Sequence, residues 1–172
     1  MIIATIVLVL VLIFGFVVFR GAPYVPSHPY EVKQAFESLY RLNKKSVLVD
    51  IGSGDGLVLR IAASFGAKAI GIELNPLLVL FSRLRSYKNP FISIHLADMW
   101  LIPLPDDTTV VYVFAVSRDL KKLAKKIQTE ANRLDRPLDL ITYGASLKDI
   151  PATKKHRGHC LYQFTPLQST KA

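Results

Sequence analysis

Hydrophobic positions divide the chain into one unbroken apolar run and a succession of short periodic segments. The run, Ile2 to Phe19, holds no charged residue and is almost entirely Ile, Val, Leu and Phe. Coiled as a helix at about 1.5 Å per residue, it spans roughly the hydrocarbon thickness of a bilayer. It reads as one transmembrane anchor over residues 1–20. A cleaved signal peptide fits less well, since no Lys or Arg precedes the run and Arg20-Gly21-Ala22-Pro23 is a poor small-x-small cleavage site.

Beyond the run, Gly21-Ala22-Pro23-Tyr24-Val25-Pro26 is a stiff extended juncture, because each proline disfavours helix in the residue before it. Ser27 reads as an N-cap with Pro29 in the first turn. Val32, Ala35, Phe36, Leu39 and Leu42 then form the apolar face of a helix that stops near Asn43. From Lys45 onward the period alternates between strand and helix. Strands are predicted at Ser46–Ile51, Lys68–Glu73, Phe91–Leu96, Thr109–Phe114, Leu138–Gly144 and His159–Thr165. Helices are predicted at Leu57–Phe65, closed by Gly66, and from an Asn75-Pro76 cap to about Tyr87. A further helix runs from Arg118 to Leu134, where Leu120, Leu123, Ala124, Ile127, Ala131 and Leu134 share a face. This alternation makes a parallel α/β sheet over residues 45–172, with residues 21–44 as a juxtamembrane segment and first helix. A complete seven-strand sheet needs one more strand between Leu147 and Gly158. Only Ile150-Pro151-Ala152-Thr153 offers a weak candidate there, which leaves room for a sheet trimmed at its C-terminal edge.

The 172 residues carry a formal charge of +9, all of it outside the apolar run. Such a surface is drawn to anionic lipid headgroups, at about 1 kcal/mol for each Lys or Arg close to the membrane. Nucleic acid would attract it equally well, but a tether already holds those charges at the headgroups, so nucleic acid is the less expected partner. Arg20, Lys33, Arg41, Lys44 and Lys45 follow the run, and this bias places the domain on the cytoplasmic side. Lys121, Lys122, Lys125 and Lys126 stand on the polar face of their helix, which reads first as a solvated face and second as a lipid-facing one. The single Cys160 excludes an internal disulfide. His156, His159 and Cys160 lack a fourth ligand, so no metal is expected.

The candidate chemistry lies in Val47-Leu48-Val49-Asp50-Ile51-Gly52-Ser53-Gly54-Asp55-Gly56 and, a helix later, Gly71-Ile72-Glu73. A buried strand that ends in an acid and runs into alternating glycines makes a tight turn where a ligand approaches bare backbone. A dinucleotide loop reads G-x-G-x-x-G and cradles a pyrophosphate, which Asp50 and Asp55 would repel. A ligand with a cationic end fits better. S-adenosylmethionine carries a sulfonium and an α-ammonium. Asp50 then faces its methionine end beside Gly52, Ser53, Gly54, Asp55 and Gly56, and Glu73 accepts from the ribose hydroxyls.

The glycine loop and the acid on the second strand resemble the corresponding motifs of the seven-β-strand (class I) methyltransferases. That resemblance implies a Rossmann-like sheet and an adenine site at Ala97-Asp98-Met99-Trp100, with Asp98 accepting from the exocyclic amine and Met99 or Trp100 covering the ring. Pro23-Tyr24-Val25-Pro26-Ser27, the glycine loop, Gly71-Ile72-Glu73 and Asp98-x-Trp100 together are similar to the small membrane-anchored lysine methyltransferases related to the mitochondrial enzymes that modify the ADP/ATP translocase and the ATP synthase c-subunit. The similarity covers about residues 22–116 and fades beyond the fourth strand; Ser27 stands where that family usually has Thr, which keeps the hydroxyl.

Methyl transfer to an amine is an in-line displacement that needs alignment, a neutral amine and exclusion of water, so no dedicated base motif is expected. Tyr24 and Ser27 are the candidates for orienting the acceptor, with Asp98 or Trp100 walling its channel. The sequence thus reads as a membrane-anchored methyltransferase acting on a lysine of a membrane or membrane-associated protein. A small-molecule or lipid methyltransferase and a non-catalytic binding or scaffold protein are the rival readings.

Overall fold

The computed structural model describes Ile2, Thr5 and residues 27–167. The anchor expected over residues 1–20, Tyr24 and the proline juncture lie outside the described residues, Ile2 and Thr5 apart. Among the described residues no helix is long and apolar enough to cross a membrane.

The chain runs through α1 (Pro29–Ser38), β1 (Val47–Ile51), α2 (Leu57–Ser64), β2 (Lys68–Glu73), α3 (Pro76–Ser86), β3 (Ile92–Leu96) and β4 (Val110–Phe114). A single 3-10 turn, Ser117–Asp119, leads into α4 (Leu120–Leu134), followed by β5 (Leu138–Tyr143), β6 (Lys154–His156) and β7 (His159–Phe164). All the strands join one seven-stranded sheet in the order β3-β2-β1-β4-β5-β7-β6. Neighbours from β3 through β5 run parallel, while β7 is antiparallel to both β5 and β6. The order reverses beside β1, at the switch point where open α/β sheets leave a crevice at the carboxyl ends of their strands.

The sheet is buried on both faces, which is why its inner strands read as nearly continuous apolar runs. On one face Leu48, Ala69, Val110, Tyr112 and Ile141 pack against Val32, Ala35 and Phe36 of α1 and Val58, Leu59 and Ala62 of α2. On the other, Val49, Ile70, Val111 and Leu140 pack against Leu120, Leu123, Ile127 and Ala131 of α4. The predicted apolar face of α4 is thus the one that is buried.

Three expectations need correction. The C-terminal edge of the sheet is complete, because β6 forms at Lys154–His156, just after the weak candidate Ile150–Thr153. Two lysines and a histidine carry no apolar alternation; they suit an outer strand, where exposed lysines discourage further pairing. The first helix ends at Ser38, although Leu39 and Leu42 stay buried in the segment after it. Finally, Ser27 is not the N-cap: His28 holds that position, without a side-chain cap, and the Ser27 hydroxyl goes elsewhere.

Candidate functional site

Asp50 sits one residue before the end of β1, in register with Gly71 of β2 and Tyr112 of β4. Residues in register on parallel strands share a face, so its carboxylate lies on the α1–α2 side, next to the Tyr112 ring and beside a position with no side chain. It is only 3% exposed. Burial above all, then the charges of Glu73 and Asp55, hold this carboxyl well above the usual range, and no cation or donor among the described groups offsets them. A buried carboxylate left in this state is a seat for a cation.

The turn after β1 is tied to β2, since the N–H groups of Gly52 and Ser53 both donate to the Ile72 carbonyl, at 2.8 and 3.3 Å. Gly52 has φ +75°, and a Cβ there would meet nothing within 4 Å, so its backbone borders open space. Gly54 N–H donates to Glu73 Oε2 at 2.9 Å, and Asn75 N–H to Glu73 Oε1 at 2.8 Å. Glu73 therefore clamps the turn, and each of its oxygens retains a second lone pair for a hydroxyl.

Not every residue of the turn faces that space. Ser53 points inward: its Oγ is buried without a partner and would lie 2.6 Å from a Cβ at Gly71. Gly56 faces α3, where a Cβ would come 2.2 Å from Ser82 Oγ, and its φ of +79° starts α2. Asp55 is turned away from Asp50's neighbours. Its carboxylate pairs with Arg60 at 3.3 Å and with Arg85, and also accepts from Leu57 N–H at 3.2 Å. These arginines offset the charge of Asp55, whereas no ion pair to Asp50 or Glu73 forms among the described residues. The side chains of Ser53 and Asp55 and the backbone of Gly56 thus shape the turn.

Ser27 does reach it. It lies beside the Tyr112 phenol, whose oxygen is 3.0 Å from Nε2 of the fully buried His159. Burial, with the nearby Asp50 charge adding, pushes the Tyr112 phenol up, and burial lowers His159 to about 4, so both are neutral at pH 7. The His159 ring stacks on Tyr143 with centroids 4.3 Å apart, and the Tyr143 hydroxyl donates to Glu31 Oε2 of α1 at 2.9 Å. This wall of Ser27, Tyr112, His159, Tyr143 and Glu31 pins the start of α1 over the ends of β4, β5 and β7. The sequence pattern points to only one of its five members, Ser27. Alternation along β4 puts Tyr112 on the same face as Val110 and Phe114, but only the strand order β4-β5-β7 brings in His159.

The segment after β3 starts beside Glu73, whose carbonyl accepts from Ala97 N–H at 3.0 Å. Asp98 Oδ1 accepts from Trp100 N–H at 2.9 Å, and Met99 and Trp100 pack against the core on the α4 side. Lys122 places its ammonium 4.0 Å above the indole, so that lysine is not merely solvated. Lys126 is also drawn in, to the Ile102 carbonyl at 2.8 Å and to Glu130 at 3.1 Å. Met99 and Trp100 thus turn toward the α4 side of the sheet, whereas Ser27 lies at the start of α1.

The strand order, with a glycine turn after β1 and an acid closing β2, defines a Rossmann-like methyltransferase fold. Residues 49–138 match the family model described as a methyltransferase domain, and the chain belongs to that family. It is 37% identical over 111 residues to the ATP synthase c-subunit lysine N-methyltransferase of Xenopus laevis, covering 63% of this chain and 48% of that protein. The human protein of the same name is 35% identical over 111 residues, with 63% and 46% covered. The chain thus spans about half the length of the curated relatives it matches. Among solved structures, an RNA methyltransferase from Salinibacter ruber in complex with S-adenosyl-L-homocysteine superposes with a TM-score of 0.72 at 23% identity, covering 86% of this chain and 98% of that one. A SAM-dependent methyltransferase from Geobacter sulfurreducens, also with S-adenosyl-L-homocysteine, gives 0.58 at 21% identity, with 76% and 53% covered. These two likenesses establish the fold.

Proposed function

We propose that the protein is an S-adenosylmethionine-dependent methyltransferase that modifies a lysine amine of a protein in or at a membrane. The observation that carries the cofactor is Asp50, buried, raised and uncompensated beside the open backbone of Gly52. Asp50 would hold the cationic methionine end, Glu73 the ribose hydroxyls, and Asp98 the adenine amine. The bound cofactor supplies a methyl group activated on a sulfonium.

What remains for the protein is alignment and exclusion of water. Ser27, on Tyr112, begins the wall that the acceptor must pass, and Tyr24 precedes it in the chain by three residues. Tyr112 and His159 are neutral, so neither adds a charge that would repel a sulfonium or an incoming amine. A lysine acceptor is supported by the likeness to lysine N-methyltransferases. A single-pass membrane location, with the domain on the cytoplasmic side, is supported by the uncharged Ile2–Phe19 and the basic residues after it.

The test is to incubate the full-length protein with methyl-labelled cofactor and membranes. Label in protein bands, released as methyl-lysine on hydrolysis, is the expected result. Label in the lipid extract would replace the acceptor with a lipid, and label nowhere would leave a binding or scaffold protein.

A further inference from the structure

Helix α3 is amphipathic in the wrong sense for a soluble domain. Its inner face buries Val79, Ser82 and Ser86, and both serine hydroxyls are without a partner. Leu77, Leu80, Phe81 and Leu84, followed by Tyr87, recur at helical spacing on the outer face and are 45 to 80% exposed. Phe91 before β3 and Leu96 at its end, both about half exposed, extend this surface along the sheet edge. The inner serines are explained by close packing, because the turn at Gly56 comes within contact of Ser82. Nothing among the described residues covers the outer leucines.

Charge indicates what does. From residue 74 to residue 97 there is no Asp or Glu, while Arg83, Arg85 and Lys88 flank the apolar face. Arg60, Arg85, Lys88 and Asn89 line a cleft that opens beside Phe91. The acid at the rear of this cleft, Asp55, is engaged by Arg60 and Arg85. A second copy of the chain packed symmetrically on this face would set these cations against themselves. An apolar stripe bordered by cations suits a helix lying in the interface of a bilayer with anionic headgroups.

We infer that the outer face of α3 is a membrane-docking surface, with Leu77, Leu80, Phe81 and Leu84 below the headgroups and Lys88 among them. This rests on the membrane location proposed above and adds an orientation to it. Docked in this way, the domain lies with the β3 edge of its sheet against the bilayer, and the cofactor turn, which touches α3 at Gly56, stays close to the membrane surface.

The test uses the full chain on vesicles of mixed anionic and neutral lipid, with an environment-sensitive fluorophore on Leu84→Cys or, as control, on Lys121→Cys of α4. Cys160 is buried, so labelling is directed to the new thiol. Flotation with the vesicles reports membrane location separately. Quenching by lipids brominated about 5–10 Å below the headgroup boundary is expected at position 84 and not at position 121. Lys88→Gln should lower the docked-to-undocked ratio roughly fivefold on anionic vesicles and leave it unchanged on neutral ones. Flotation without quenching at 84 overturns the docking surface and leaves the location standing. Failure to float removes both. A label shielded from water but unquenched, with cross-links between copies, would assign the face to a second copy and overturn the lipid.

Discussion

Asp50 and His159 respond to pH in opposite directions, and each can be tested with one substitution. Asp50 is raised in the folded protein by burial, Glu73 and Asp55, so the stability it contributes is full below its ordinary value of 3.8 and is lost as pH rises through its folded value. Asp50→Asn should therefore raise the unfolding midpoint of the ligand-free protein at pH 7, by about 1.4 kcal/mol for each pKa unit of the shift, with the advantage vanishing toward pH 4. The same change should weaken binding of S-adenosylmethionine by about 1.5–3 kcal/mol in calorimetry, the range for a hydrogen bond to a charged group. A gain in stability with a loss of affinity would identify Asp50 as strained for function. His159 is lowered from 6.5 to about 4, chiefly by burial, so stability should fall as pH drops through that window. Its own contribution to the slope approaches about 1.4 kcal/mol per pH unit, opposite in sign to that of Asp50, and the difference between the wild type and His159→Gln across this window isolates it.

At the scale of the elements, local signals decided well wherever a turn or a cap is built from neighbouring residues. The Asn75 side chain accepts from the N–H groups of Leu77 at 3.0 Å and Leu78 at 3.5 Å, as the Asn-Pro pair implied. Asn75→Ala should cost about 1 kcal/mol in denaturant unfolding. Gly56→Ala combines a left-handed backbone with a collision on Ser82, and should cost more than the roughly 1–2 kcal/mol of the backbone alone. A neutral result for Gly56→Ala would mean that α3 can shift away from the turn. Local signals failed at β6, whose Lys154-Lys155-His156 has no pattern of its own and is a strand only because Leu161, Cys160 and His159 of β7 stand opposite it. They also failed at the face of α3, where leucine periodicity is visible but its direction, outward, depends on Gly56 and Ser82 meeting.

At the scale of the whole molecule, the tether proposed for residues 1–20 should govern the choice of acceptor rather than cofactor binding. Gly21 to Ser27 allows at most about 25 Å of extended chain between a bilayer and α1. A fragment lacking residues 1–20 should keep its affinity for S-adenosylmethionine while methylating a membrane acceptor poorly, through loss of effective concentration. Equal rates for fragment and full-length protein in native membranes would show the segment to be an address only.

Six of the seven strands, the three helices of the domain and the acidic ends of β1 and β2 can be read along the chain, because alternation, capping and glycine turns are matters of a few adjacent residues. The cofactor half of the site is legible for the same reason: Asp50 and Gly52 belong to one turn, and Glu73 ends the next strand. The wall from Ser27 to Glu31 is not, since Tyr112 meets His159, 47 residues further along the chain, only when β7 enters antiparallel beside β5. Nor could spacing tell that Asp55 is neutralised by Arg60 and Arg85 while Asp50, five residues earlier, has no cation near it among the described residues. Burial and charge compensation belong to neighbours in space, and those neighbours are set by strand order and register.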